Sequence, residues 1–347
     1  MSGAALDKPF VAIEPELNAA DKELVLEYER ELDLTQAPNL ADTLSSYTSS
    51  SYTWHGVYPF ETLEGAEAVA ETFYQPLFAS FTHLQRRPLI FFGGRSVFGG
   101  DWVMSMGNFL GMFTSDWLGI PATGRMAFLR YCEFHRLEDG KLQETYFHTD
   151  LISLMKQAGV DPLPPQTGTD FVFPSPRTND GIILSEQAEA ESAQTLELIQ
   201  RMAYDLGANP EVDMAPAKLA ETWHQDMIWY GPSGIGSTMG IGGFKQHHQM
   251  PFRKSLYSAR TFNGHAARFT EGLYGGWVGW PSLSLNVAEG GFMGLPKTGS
   301  NIDMRVVDLY RREGDRLAEN WVFIDIPYVL KQQGLDVLER MRELRGG

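Results

Sequence analysis

The sequence predicts an α+β protein made of two tandem copies of one domain. Three observations carry that expectation: a repeat at constant offset, a helices-then-strands order within each copy, and a proline-rich stretch between the copies. Each repeated residue stands 175 positions before its counterpart, as Asp150 and Asp325 illustrate. The same offset pairs Trp54 with Trp229, Gly56 with Gly231, Gly65 with Gly240, Pro76 with Pro251 and Trp102 with Trp277. It continues without a gap through Gly119 and Gly294, Pro121 and Pro296, Arg130 and Arg305, and Gln157 and Gln332. A period of this length is the size of a domain, not of a solenoid repeat. The expected division is residues 1–159, a linker over 160–181, and residues 182–347.

Each element follows from local pattern. Leu24, Val25, Tyr28 and Leu32 put one apolar stripe on a helix over Asp21 to Leu32. Its counterpart has Ser185 as N-cap and Leu196, Ile199, Met202 and Leu206 on one face, and it stops at Gly207 and Pro210. A further helix starts after Gly65 and again after Gly240. Each runs into a proline, Pro76 or Pro251, where a missing amide donor forces a bend or restart. The later half of each copy reads as strands, with aromatic and β-branched residues punctuated by Gly99-Gly100 and Glu313-Gly314-Asp315. Between the copies, Pro162, Pro164, Pro165, Pro174 and Pro176 exclude a regular element, and Phe171, Val172 and Phe173 predict that the linker is pinned against a domain. Leu335, Leu338, Met341 and Leu344 predict a closing helix.

Composition excludes several function classes. The 347 residues carry 28 Lys and Arg against 44 Asp and Glu, a formal charge of -16 that repels nucleic acid and anionic lipid. The first 20 residues lack a basic head with an apolar run behind it. Nowhere do about 18 apolar residues follow one another, so neither a secretory leader nor a membrane span is expected, and the default expectation is cytoplasmic. The one cysteine, Cys132, lies in a strand-like segment as a buried thiol.

The chemistry is expected on the last strand of each copy. Lys141 to Asp150 and Arg316 to Asp325 alternate faces, so Glu144, Tyr146, His148 and Asp150 share one side, as do Glu319, Trp321, Phe323 and Asp325. A carboxylate among aromatic rings is poorly solvated when charged. Its pKa rises toward neutrality, which suits a general acid/base. The residue types equally suit helix capping, since Asp150 precedes Leu-Ile-Ser-Leu-Met.

Trp117-Leu-Gly-Ile-Pro-Ala-Thr-Gly124, its partner Phe292 to Gly299, the endings Glu319 to Asp325 and Gln332-Gln-Gly334, and Trp229 to Gly240 resemble the SnoaL-like polyketide cyclase (ester cyclase) family. The resemblance covers both copies. It implies the nuclear transport factor 2-like fold, in which a cone of helices covers a curved antiparallel sheet, and ring closure by intramolecular aldol condensation without metal or organic cofactor. It also implies Asp150 and Asp325 as general acid/base. Where the family usually carries a histidine, six residues before the first glycine of Gly-x-Pro, this chain has Phe113 and Ala288. His148 is therefore the candidate proton-transfer partner in the first copy; Phe323 stands there in the second.

The expected substrate-binding residues are Trp54, His55, Trp229, Tyr230, Tyr146, Trp321, Phe113, Trp102 and Trp277, around a small or polycyclic apolar or aromatic carbonyl compound. Trp280, Met104, Met106 and Met112 fit either an adaptable wall or plain core. Arg130 and Glu133, like Arg305 and Asp308, lie three apart on a strand and so on opposite faces. Gly231 to Thr238 has Ser237 where a phosphate loop needs lysine. His247 and His248 diverge on a helix, and no Gly-x-Ser-x-Gly elbow occurs, so no nucleotide, metal or serine-hydrolase site is expected. The alternative function is a non-catalytic binding module. Val322 and Ile324 are expected on an outer face through which the copies pack sheet to sheet as an intrachain pseudo-dimer; further homo-oligomerisation stays open.

Overall fold

The computed structural model describes residues 7–35, 39–170, 173–208, 215–256, 260–287 and 292–346. The chain builds two sheets in sequence order, each with helices on one face. The first sheet has β1 (Thr48–Gly56), β2 (Glu61–Glu64), β3 (Phe81–Arg95), β4 (Asp101–Phe113), β5 (Met126–Glu138) and β6 (Lys141–Thr149), in the order β2-β1-β6-β5-β4-β3. The second has β7 (Trp223–Tyr230), β8 (Thr238–Met239), β9 (Arg260–Phe262), β10 (Ala267–Glu271), β11 (Tyr274–Asn286), β12 (Asn301–Glu313) and β13 (Arg316–Ile324), in the order β10-β11-β12-β13-β7-β8 with β9 on β11. Pairing is antiparallel except that β1 runs parallel to β6 and β7 to β13. These strands lie at opposite ends of their copies, so no tight hairpin dictates their relative direction. The architecture is the expected α+β arrangement in two tandem copies, each with helices on one face of a mostly antiparallel sheet.

The helices follow their patterns. Helix Pro15–Leu34 buries Val25, Tyr28 and Leu32 against the first sheet, and helix Val337–Gly346 buries Leu338 and Met341. The helix opening the second copy spans Glu189–Ala208, so Ser185 lies ahead of it and does not cap it. Pro210 lies outside the described residues. Before each repeated proline the helix widens by one π-turn, Ala70–Tyr74 ahead of Pro76 and Lys245–Gln249 ahead of Pro251. A wider turn accommodates the missing donor and the ring without breaking the helix. In the linker, Phe173 is 1% exposed and meets Phe323 at 5.2 Å, so the chain is pinned there; Phe171 and Val172 lie outside the described residues. Among the described residues, no helix is long and apolar enough to cross a membrane.

The two sheets pack outer face to outer face. Ile90, Phe92, Trp102, Met104, Cys132 and Phe134 from the first form one buried cluster with Phe269, Val278, Val307, Leu309, Trp321 and Phe323 from the second. The intrachain pseudo-dimer is thus present, but its register is opposite to the expected one. Trp321 and Phe323 supply the outer face, whereas Val322 and Ile324 point into the second cone. Since a strand has period two, misjudging one residue's face inverts the whole strand.

The Trp102 and Trp277 correspondence is corrected by the same logic. Trp102 pairs across the sheet with Arg136 and Trp277 with Asp308, so the structural counterpart of Trp277 is Ser105, opposite Glu133. Beyond a bulge between Gly279 and Leu283, the register returns to within one residue of the 175 offset. The odd shift before it puts Trp102 between the sheets and Trp277 inside a cone.

Candidate active site

The second cone holds a cavity of about 200 Å³. Trp229 from β7, Trp277 from β11, Asp308 and Tyr310 from β12, and Asn320 and Val322 from β13 line one side; Met202, Ala203, Phe244 and His248 from the helices close the other. Strand alternation aims every second side chain of β12 and β13 inward, and Gly231 lets the Trp229 ring fold back over the backbone where a Cβ would collide with it.

Asp308 is the carboxyl group at this wall. Its pKa is pushed up to about 6 by burial, opposed by hydrogen bonding from Asn320, Tyr310 and Trp277; Asn320 Nδ2 lies 3.3 Å from Oδ1. All three partners are neutral, so they hold the group without fixing its charge. His248 stacks on Trp229 at 3.8 Å, and burial lowers its pKa to about 3. His265 stacks on Trp277 at 4.7 Å and 10°, and its pKa lies well below the ordinary value through burial and the nearby Arg268 charge. Both rings are neutral at pH 7. The arrangement brings together one carboxyl with a raised pKa, aromatic walls, neutral donors and, from the helical side, Arg253.

The expected site residues divide among three environments. Trp229 and Trp277 line the cavity. Trp54 packs into the core of the first cone against Phe73 and Phe147, and Phe113 stacks on Phe81. His55, Tyr230, Tyr146, Trp321, Trp102 and His148 instead face outward, between the sheets. His55 bonds Glu144 at 2.9 Å, Tyr230 stacks on Trp321, and Tyr146 and His148 meet Trp280 of the other domain. His148 is fully buried there and its pKa is lowered to about 3 by burial and the Arg305 charge. Ala288 lies outside the described residues.

Asp150 and Asp325 also sit at the domain boundary and are not among the residues lining this cavity. Each caps the helix after it: Asp150 accepts from Ser153 N at 2.8 Å and Asp325 from Tyr328 N at 3.2 Å. Each also accepts a backbone N–H from the opposite domain, Ser233 to Asp150 at 2.8 Å and Tyr58 to Asp325 at 2.9 Å. Arg130 and Arg305 complete the two sets, and Arg305 reaches Glu61 of the first domain at 2.6 Å. These contacts form a reciprocal latch with the twofold character of the chain. Burial pushes the Asp325 carboxyl up to about 7.

Asp308, Tyr310, Asn320, His248 and His265 were not expected as site residues. The signal was present in the three-residue spacing of Arg305 and Asp308, which sends one outward and one inward; knowing which face was interior would have selected Asp308. In the first cone, Glu29, Glu133 and His135 place ligand atoms within 4.8 Å of one another, the spacing of a metal cluster among the described residues. Arg86 already supplies the cation there, 2.9 Å from Glu133, which leaves the triad reading as a buried ion network.

Fold and site together define a tandem α+β protein with an aromatic-walled cup in its second copy. Residues 40–158, within the first copy, match the sequence model of the SnoaL-like polyketide cyclase family. The match supports a cyclase- or isomerase-type role in general. Similar solved structures include a SnoaL-like protein of Jannaschia sp. CCS1, 21% identical, covering 45% of this chain and 100% of its own with TM-score 0.37. IdmH of Streptomyces antibioticus is 16% identical, covering 40% of this chain and 99% of its own with TM-score 0.34. An NTF2-like protein of Burkholderia thailandensis E264 is 15% identical, covering 40% and 96% with TM-score 0.31. No curated protein matches the chain.

Proposed function

We propose that the second cup performs cofactor-independent acid/base chemistry on an apolar carbonyl compound, with Asp308 taking a proton from the carbon beside the carbonyl and returning it. The outcome is isomerisation or intramolecular aldol closure. The observation that supports this reading is the carboxyl of Asp308, raised to about 6 by burial against the hydrogen bonds of neutral Asn320, Tyr310 and Trp277, at the wall of an aromatic cavity of about 200 Å³. A base of that pKa is mostly ionised at pH 7 yet strong enough to hold the proton transiently. The resemblance to polyketide cyclases supports the reaction class.

The test is deuterium exchange at the acidic C–H of 2-tetralone in D2O, followed by NMR. The wild-type rate should rise about tenfold per pH unit below pH 6 and level off above it, since the base must be ionised to act. Asp308→Asn should lower the enzymatic rate by about a hundredfold to ten-thousandfold. Asp150→Asn, Asp325→Asn and His148→Gln enter the same assay, and loss of exchange in those variants with Asp308→Asn fully active would transfer the role to the aspartates of the latch. Ketone binding with no exchange in any form would leave the binding-module reading.

A further inference from the structure

We infer that His265, fixed by Arg268 as its Nε2–H tautomer, is the donor that holds the carbonyl oxygen of a one- or two-ring ketone in the second cup. The carbonyl class rests on the function proposed above; the donor assignment rests on separate geometry.

Arg268 is 1% exposed, and its Nε and terminal nitrogen lie 3.2 and 3.1 Å from His265 Nδ1. A guanidinium carries only N–H donors, so Nδ1 must be the accepting nitrogen and the ring hydrogen must sit on Nε2. A second proton on the ring is opposed by burial and by the guanidinium charge, so the ring stays a neutral donor. Its orientation is set by the parallel stack on Trp277 and by the edge contact to Phe262 at 5.0 Å.

The first domain braces this assembly. Arg268 N donates to Ser96 Oγ at 3.1 Å, Val97 N donates to Arg268 O at 3.0 Å, and the guanidinium lies 5.2 Å over the Phe98 ring. One turn of the first copy thus holds the residue that sets the tautomer in the second, a reason for the two copies to remain in one chain.

Size and charge define the ligand. A dry cavity of about 150 Å³ takes benzene, so about 200 Å³ is enough to enclose one or two rings. When Asp308 removes the α-proton, the C–H electrons form a C=C bond and the carbonyl π electrons move to oxygen. His265 Nε2–H stabilises that oxygen without giving up its proton, because a neutral imidazole is a very weak acid. The proton on Asp308 then returns to carbon, so the step balances without a co-reactant.

The experiment measures binding of 2-tetralone and of tetralin, its carbonyl-free analogue, to Asp308→Asn protein, where no turnover intervenes. We expect the ketone to be favoured by about five- to tenfold, the worth of one hydrogen bond. Adding His265→Phe should erase the preference, and adding His265→Gln, which keeps a donor, should retain part of it. Nitrogen-15 NMR of the wild type at pH 7 should show Nδ1 unprotonated and Nε2 protonated. Arg268→Met should lose that signature and Arg268→Lys should largely keep it. A protonated Nδ1 in the wild type, or an undiminished ketone preference in His265→Phe, would overturn the inference. Exchange independent of Asp308 with the ketone preference intact would instead sink the preceding reading and leave this one standing.

Discussion

The two cups share a backbone plan and differ in what stands opposite their equivalent carboxyl groups. In the first, Glu133 is fully buried, 2.9 Å from Arg86, 3.3 Å from His135 and within reach of Tyr74. In the second, Asp308 faces neutral partners and a cavity. The strand registers show how the difference arises. Arg86 pairs with Phe109, which faces Leu129; Phe262 pairs with Leu283, which faces Met304, the counterpart of Leu129. Phe262 therefore occupies the place of Arg86. With the arginine, Glu133 is held below the ordinary carboxylate range; without it, burial drives Asp308 up to about 6. The equivalent carboxyls thus differ in what stands beside them: Glu133 lies in a buried ion network with Arg86, and Asp308 lies beside neutral hydrogen-bond donors.

The sharpest way to break this comparison is to remove each carboxylate charge. Asp308→Asn should slow ketone deuterium exchange by about a hundredfold to ten-thousandfold, the usual worth of a positioned base. Glu133→Gln should leave the rate per folded molecule unchanged. Equal losses in both would erase the functional distinction between the cups.

Stability should show the reverse ranking. Glu133→Ala leaves Arg86 only the longer contacts to Glu29 and Asp33, each at 3.4 Å, and should cost about 3 kcal/mol in urea denaturation. Asp308→Asn should stabilise the protein at pH 7 by about 2 kcal/mol, because each unit of raised pKa is about 1.4 kcal/mol against the ionised fold and solvent reaching the cavity reduces the total. The pH dependence follows in sign. Asp308 is raised, so its contribution is present below the unfolded carboxylate value and is lost as pH climbs through about 6. Glu133 is depressed, so its contribution is present above that value and is lost as pH falls. Melts extended into acid should therefore flatten between the unfolded carboxylate value and about pH 6 for Asp308→Asn, and below the ordinary glutamate value for Glu133→Gln.

The smallest expected effect concerns the latch, which should be alike on both sides. Asp150→Asn and Asp325→Asn each weaken a helix cap and one bond to the other domain while keeping an oxygen toward the arginine, and each should cost about 1 kcal/mol. A loss confined to one of them, measured by denaturant titration, would show that the apparent twofold symmetry is not energetic.

Much of this molecule was legible in the chain. The constant offset required duplication, the apolar stripes located the helices at Pro15–Leu34 and Val337–Gly346, and the repeated prolines marked where both middle helices change pitch. Capping by Asp150 and Asp325 was legible as one of two roles their residue type allows. The site was less legible. Tyr146, His148, Trp321 and Trp102 looked like pocket walls because they line up with the aspartates, yet that face is where the two sheets meet.

Sequence by itself determined the local and periodic features: duplication, helix starts and stops, and which side chains share a face of a strand. These depend on neighbours within a few residues or on direct repetition. Tertiary structure alone decided which of two equally apolar faces turns inward, how the three-residue shift between β4 and β11 separates Trp102 from Trp277, and which carboxyl group meets a cation. Those outcomes depend on long-range pairing, and a period-two strand looks the same from either side until something is packed against it.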